Sequence, residues 1–151
     1  MEQSRKFLKI YSYLILAFAA FSFLQAVAEV IFTDYDPAAL PEGFTVNILI
    51  FAKIFILVIS LLLILPSLYV GFKGLKVAKT PNSSKGHIVW ATILMVLYVI
   101  ALIDPVYDIV NKVEVGENIS RFFSILLEAW IYFDFIRYAK AVAKEATTDK
   151  L

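Results

Sequence analysis

Residues Phe44–Phe72 read FTVNILIFAKIFILVISLLLILPSLYVGF, and Lys53 is the only charged side chain among them. At about 1.5 Å of rise per residue, such a helix outruns the ~30 Å hydrocarbon core of a bilayer. A surface helix of a soluble protein carries a polar face, and this stretch has none. Three further apolar stretches accompany it: Phe7–Phe32, His87–Ile103 and Ile119–Tyr138. The first and last reach the roughly 20 residues a crossing needs, and the third reaches it by taking in part of Asp104–Val110. The predicted fold is all-α: a four-helix transmembrane bundle in one domain, with spans of about 7–32, 44–72, 87–106 and 119–138 and short loops.

Composition agrees. The chain is 61% hydrophobic with a mean hydropathy of +0.80, whereas soluble domains are about 45–50% apolar. The connections Thr33–Gly43, Lys73–Gly86 and Asp104–Asn118 are far shorter than the ~50 residues of a small independent domain. Any chemistry is therefore expected inside the bundle or at its rims. Cysteine is absent, which excludes disulfides, thiolate metal sites, cysteine nucleophiles and thiol-linked lipid anchors.

The charges are sorted by side. All fourteen basic residues except Lys53, Lys112 and Arg121 fall at the amino end, in the Lys73–Lys85 connection or in the tail. The other two loops hold Asp34, Asp36, Glu42, Asp104, Asp108, Glu114 and Glu117. Short loops rich in Lys and Arg stay in the cytoplasm, so both termini are predicted on the cytoplasmic side of an inner (plasma) membrane. Arg5-Lys6 followed by an apolar run and Ala26-Val27-Ala28 also matches a cleavable secretory signal. Apolar sequence continues through Val30-Ile31-Phe32, beyond the ~7–15 residues of a signal core, which favours a retained helix. Either way the carboxyl end stays inside.

Thr33-Asp34-Tyr35-Asp36-Pro37 and Pro41-Glu42-Gly43 mark the first loop, and Thr80–Gly86 the second. Pro66 removes a backbone donor inside the second helix and predicts a kink near Leu62–Pro66. Beyond it, Gly71–Lys79 extends that helix into the headgroup layer, where Lys73, Lys76 and Lys79 at helical spacing suit anionic lipid heads. Arg137, Lys140 and Lys144 repeat on an Ala-rich tail, predicted to lie along the inner leaflet. Aromatics such as Tyr69, Trp90, Tyr107 and Tyr138 flank the spans as interfacial anchors. Nothing basic and exposed is interleaved with them, so no nucleic-acid platform is expected.

The junction Tyr69-Val70-Gly71-Phe72-Lys73-Gly74-Leu75-Lys76-Val77-Ala78, followed by Pro81 and a fresh apolar helix, resembles small uncharacterised bacterial four-helix integral membrane proteins. The last helix, ending Tyr132–Ala139 with lysines after it, is similar in outline. The resemblance implies bacterial origin and a four-helix fold, and brings no activity, ligand or site.

The ionisable residues within the apolar runs are Glu29, Lys53 and Glu128. A charge at the bilayer centre costs from ~2.5 kcal/mol upward, so such groups face the bundle or water. Lys53 and Glu128 each lie roughly 13 Å from the outer end of their spans and Glu29 nearer 5 Å, placing all three in the outer half. Ser22, Gln25 and Glu29 share one helix face, as do Lys53, Ser60 and Ser67, and Arg121, Ser124, Glu128 and Tyr132. The candidate polar cluster is thus Gln25, Glu29, Lys53 and Glu128, with Asp104, Arg121 and Tyr132 at its rim. Lys53 pairing with a glutamate to hold helices together explains the same residues without any ligand. Lys73, Lys76, Lys79, Lys140 and Lys144 are the candidate anionic-lipid contacts.

His87, the only histidine, and Asp134 are read as helix-end and rim residues. No P-loop, nucleophile elbow or zinc-ligand spacing occurs, so no cofactor, metal or catalytic residue is assigned. The expected role is a non-enzymatic accessory or interaction subunit whose partners are the lipid bilayer and a second copy or another membrane protein. The alternative is a small oligomeric transporter or channel using Glu29, Lys53 and Glu128. A third, less favoured possibility is a lipid-acting enzyme with Glu128 or Asp134 as acid or base.

Overall fold

The computed structural model describes residues 2–32, 46–81 and 84–148, except the side chains at positions 29, 46, 47, 49, 56 and 63. Five helices follow in chain order: α1 (Glu2–Phe32), α2 (Val46–Lys79), α3 (Gly86–Ala101), α4 (Ile103–Val110) and α5 (Val115–Thr148). No strand occurs among the described residues. The expected loop at Thr33–Gly43 lies outside them.

Three stretches are long and apolar enough to cross a membrane: Glu2–Phe32, Ile50–Lys79 and Gly86–Val110, the last running through α3 and α4 together. The fourth expected span, 119–138, lies within α5 but is not among them. Arg121, Glu128, Asp134 and Arg137 interrupt its hydropathy. α5 buries one face, with Ala129, Tyr132, Phe135 and Ile136, and exposes another, with Phe123, Leu127, Trp130 and Phe133.

α2 and α5 each have 34 residues, or roughly 50 Å at 1.5 Å per residue, well beyond a hydrocarbon core. Their excess lies at the lysine-rich end. α2 runs as one helix through Pro66 to Lys79. The Arg137–Ala146 tail is the continuation of α5, with Ala139, Val142, Ala143 and Ala146 buried.

The break comes elsewhere. Pro105 has no N–H to give to Ala101, and its ring crowds that carbonyl. One turn earlier, Leu102 N donates to Val99 O at 3.3 Å, a tighter three-residue bond. α4 then continues to Val110, and its carboxyl end turns through Lys112 (φ 60°) and Glu114 (φ 37°) into α5.

α1 packs on α2 and α5, α3 packs on α5 and α2, and α4 rests on α5; among the described residues α1 and α3 do not pack on each other. Burial concentrates at the basic end: Leu8, Ile15, Val70, Val77, Ala91, Phe135, Ala139 and Val142 are almost wholly enclosed. Close approach there depends on small residues. Ser67, Gly71, Gly74 and Ala78 form a buried stripe on α2, the device by which helices in lipid pack without a hydrophobic drive between them. A Cβ on Gly71 would stand 2.6 Å from Leu16 Cγ, and one on Gly74 would stand 2.5 Å from Phe135 Cε2 and also collide with Ser12 Oγ. Neither glycine has room for a side chain.

Candidate functional site

Toward the other end, away from the Phe135 core, the helices part around a cavity of about 260 Å³. Ser22 and Gln25 of α1, Ser60 and Ser67 of α2, Tyr98 of α3, and Glu128 and Tyr132 of α5 line it among apolar Ile15, Phe18, Ile64 and Ile131. Its basic-end floor is closed by the Tyr132 hydroxyl, which donates to Ser67 Oγ at 2.9 Å. The Tyr98 and Tyr132 rings stack above that bond, centroids 5.5 Å apart. Glu128 is half-buried, with the Tyr98 hydroxyl within hydrogen-bonding reach of its carboxyl. Four helices thus present hydroxyls, an amide and one carboxyl to a common space.

The expected cluster is partly assembled. Gln25 and Glu128 line this cavity. Lys53 is half-buried on α2, two turns beyond Ser60, and does not line it; neither Lys53 nor Gln25 is without a partner. The Glu29 side chain lies outside the described residues. Of the expected rim, Tyr132 is instead a buried floor residue, whereas Arg121 and Asp104 pair at 2.9 Å on the surface, joining α5 to α4. Their exposure makes that bridge worth at most about 1 kcal/mol. Ser124, expected on the same stripe, is exposed and does not line the cavity.

Two polar residues belong to helix seams rather than rims. Asp134 accepts hydrogen bonds from the Tyr11 hydroxyl at 2.7 Å and from Trp130 Nε1 at 2.9 Å, tying α5 to α1. Tyr11 and Phe7 both stack on Tyr138 beside it. His87 is fully buried at the start of α3, edge-on to Phe135 with centroids 6.1 Å apart. Among the described residues neither of its ring nitrogens has a hydrogen-bond partner. Tyr11 and Trp130 gave no sign of this role in the sequence, where aromatics near a span end read as interfacial anchors. For Trp130 the available signal was its place one helical turn before Asp134; for Tyr11, on another helix, there was none.

The basic end carries a second depression, of about 400 Å³, between Lys85 and Ile88 at the start of α3 and Lys140, Ala143, Lys144 and Thr147 of α5. Of the lysines expected to meet anionic lipid, Lys140 and Lys144 line it, while Lys73, Lys76 and Lys79 lie on α2 outside it. Among the described residues no group of three or more His, Asp or Glu side chains is placed to hold a metal ion. No family model, curated protein or solved structure matches the chain, so the resemblance of its α2–α3 junction rests on residue types alone.

Proposed function

We propose that this is a four-crossing integral membrane protein of the bacterial inner membrane, both ends cytoplasmic, acting as a non-enzymatic accessory or interaction subunit. The uneven packing carries this reading. One half of the molecule is closed by small residues around Phe135, and the other opens around a carboxyl-bearing cavity. In lipid, Glu128 is stable only where water, hydroxyls or a partner's polar group covers it. A cavity of this size offers such cover to a small polar ligand or a polar side chain on a partner helix. The exposed apolar faces around it, including Phe21, Leu24, Phe51 and Phe55, supply the surrounding contact with lipid or with that partner.

A second reading, a small oligomeric transporter or channel, draws support from the same cavity, since Gln25, Ser60 and Glu128 form a polar path into the outer half. Four helices rarely enclose a full route, so this version requires at least a dimer.

The threading is tested with single cysteines, for which the cysteine-free chain is a clean background. On intact cells, Gly116→Cys should react with an impermeant thiol reagent and Lys79→Cys only after permeabilisation. The reverse pattern, or reaction at both, overturns the topology. Size in mild detergent then separates the two roles: a strict monomer removes the transport reading.

A further inference from the structure

The depression at the basic end has a composition that a merely solvated charge run does not need. Its charged lining is Lys85 from the start of α3 and Lys140 and Lys144 from α5, and its floor is apolar Ile88 and Ala143, both buried. Among the described residues no acidic side chain lines it. Glu145, next to Lys144, is turned to another face of α5, where it meets Arg5 of α1 at 3.5 Å. Helical geometry explains the sorting: Lys140, Ala143, Lys144 and Thr147 share one face, and Glu145 lies about 100° away from Lys144. Among the described residues the three ammonium groups therefore stand around an apolar bed with no carboxylate between them.

Depth matters as much as charge. Trp90 and Tyr69 are exposed on α3 and α2 near their basic ends, the level at which aromatic rings meet headgroups. Lys85 lies about one turn beyond Trp90, where lipid phosphates would sit. A lysine near an anionic membrane surface contributes about 1 kcal/mol, and basic pockets between helices on this side suit acidic headgroups.

From these observations we infer that Lys85, Lys140 and Lys144 form a specific site for the phosphate headgroup of an anionic glycerophospholipid, whose glycerol and upper acyl chain lie on Ile88 and Ala143. The inference rests on the membrane reading above. It separates these lysines from Lys73, Lys76 and Lys79, which serve only the diffuse surface field.

The test uses the full chain in nanodiscs of phosphatidylcholine doped with phosphatidylglycerol, with retained lipid counted by native mass spectrometry. The wild type should keep phosphatidylglycerol in preference to phosphatidylcholine. Replacing the site lysines (K85Q, K140Q and K144Q together) should cut that preference about tenfold or more. The matched triple K73Q, K76Q and K79Q should leave most of it. Helical circular dichroism checks that both triples fold. Equal loss in the two triples, or no preference in the wild type, overturns the site. Millimolar inorganic phosphate displacing the lipid from the wild type would overturn the lipid as source. Failure of the wild type to float with neutral phosphatidylcholine vesicles would instead strike the membrane reading itself; flotation without headgroup preference strikes the site alone.

Discussion

Phe135 touches each reason the basic half closes. Its ring lies edge-on to His87 and fills the space that a Cβ on Gly74 would need. Gly74→Ala should therefore force the ring or Ser12 to shift, at a cost of about 1–3 kcal/mol by overpacking. Gly116 is the control, since nothing lies within 4 Å of an added Cβ there. At that helical position, Gly116→Ala should stabilise by about 0.5–1 kcal/mol through lost unfolded-state freedom. Denaturant melts in one detergent, followed by circular dichroism, compare the pair; equal shifts would refute the close-packing argument. At this scale the sequence showed the polar residues but not their partners. Gln25 and Glu128 could be placed on inward faces by periodicity, because spacing within one helix is local information. The Tyr11–Asp134 bond joins residues 123 apart, and no local spacing encodes which aromatic meets which acid. His87 was legible as a helix-start polar residue, yet its enclosure depends on Phe135 arriving from another helix.

At the scale of the element, hydropathy and helix propensity do not end together. Lysines at 140 and 144 end the apolar run, but an Ala-rich sequence continues to favour helix, so α5 runs to Thr148. The two prolines differ: α2 continues as one helix through Pro66, whereas near Pro105 the chain shortens its bonds and breaks at Leu102. The turn after α4 is the remaining strained connection. Lys112 follows the C-cap Asn111 with φ 60°, the left-handed position that glycine occupies at least cost. Asn111 Nδ2 donates to Tyr107 O at 2.8 Å and Asn118 Nδ2 to Val113 O at 3.0 Å, so side chains hold the turn independently of Lys112. Lys112→Gly should thus stabilise the protein by up to about 1 kcal/mol, read as a rise in unfolding midpoint. Lys112→Val, whose branched side chain resists that conformation, should lower the midpoint. A fall with glycine, or no fall with valine, would refute strain at this turn.

For the whole molecule, the contrast between its halves has a consequence for water. The all-helical character and three membrane-length spans were readable from hydropathy, but the asymmetry between a sealed half and an open half was not. In the sealed half the small residues Ser67, Gly71, Gly74 and Ala78 of α2 let the backbones approach. In the other half the bulky Phe51, Ile54, Phe55 and Leu62 are exposed on the outside of α2, and the inward side chains include the small Ser22 and Ser60, which line the space together with Glu128. With hydroxyls and a carboxyl on its walls, that space is polar enough to hold water, whereas the sealed half is filled by side chains. Under the proposed topology the water enters from the outer face, because the Tyr132–Ser67 bond and the core beneath it close the inner route. Ser22→Cys and Ser60→Cys should then react with a small impermeant thiol reagent added outside, and Ser12→Cys, fully buried in the wild type, should stay protected until the protein is denatured. Prior incubation with a reagent too large for a 260 Å³ cavity should not block the reaction at Ser60→Cys. Protection at both cavity positions would mean that the helices close over Glu128 in the bilayer, leaving its carboxyl to stabilise the seams and not to meet anything from outside.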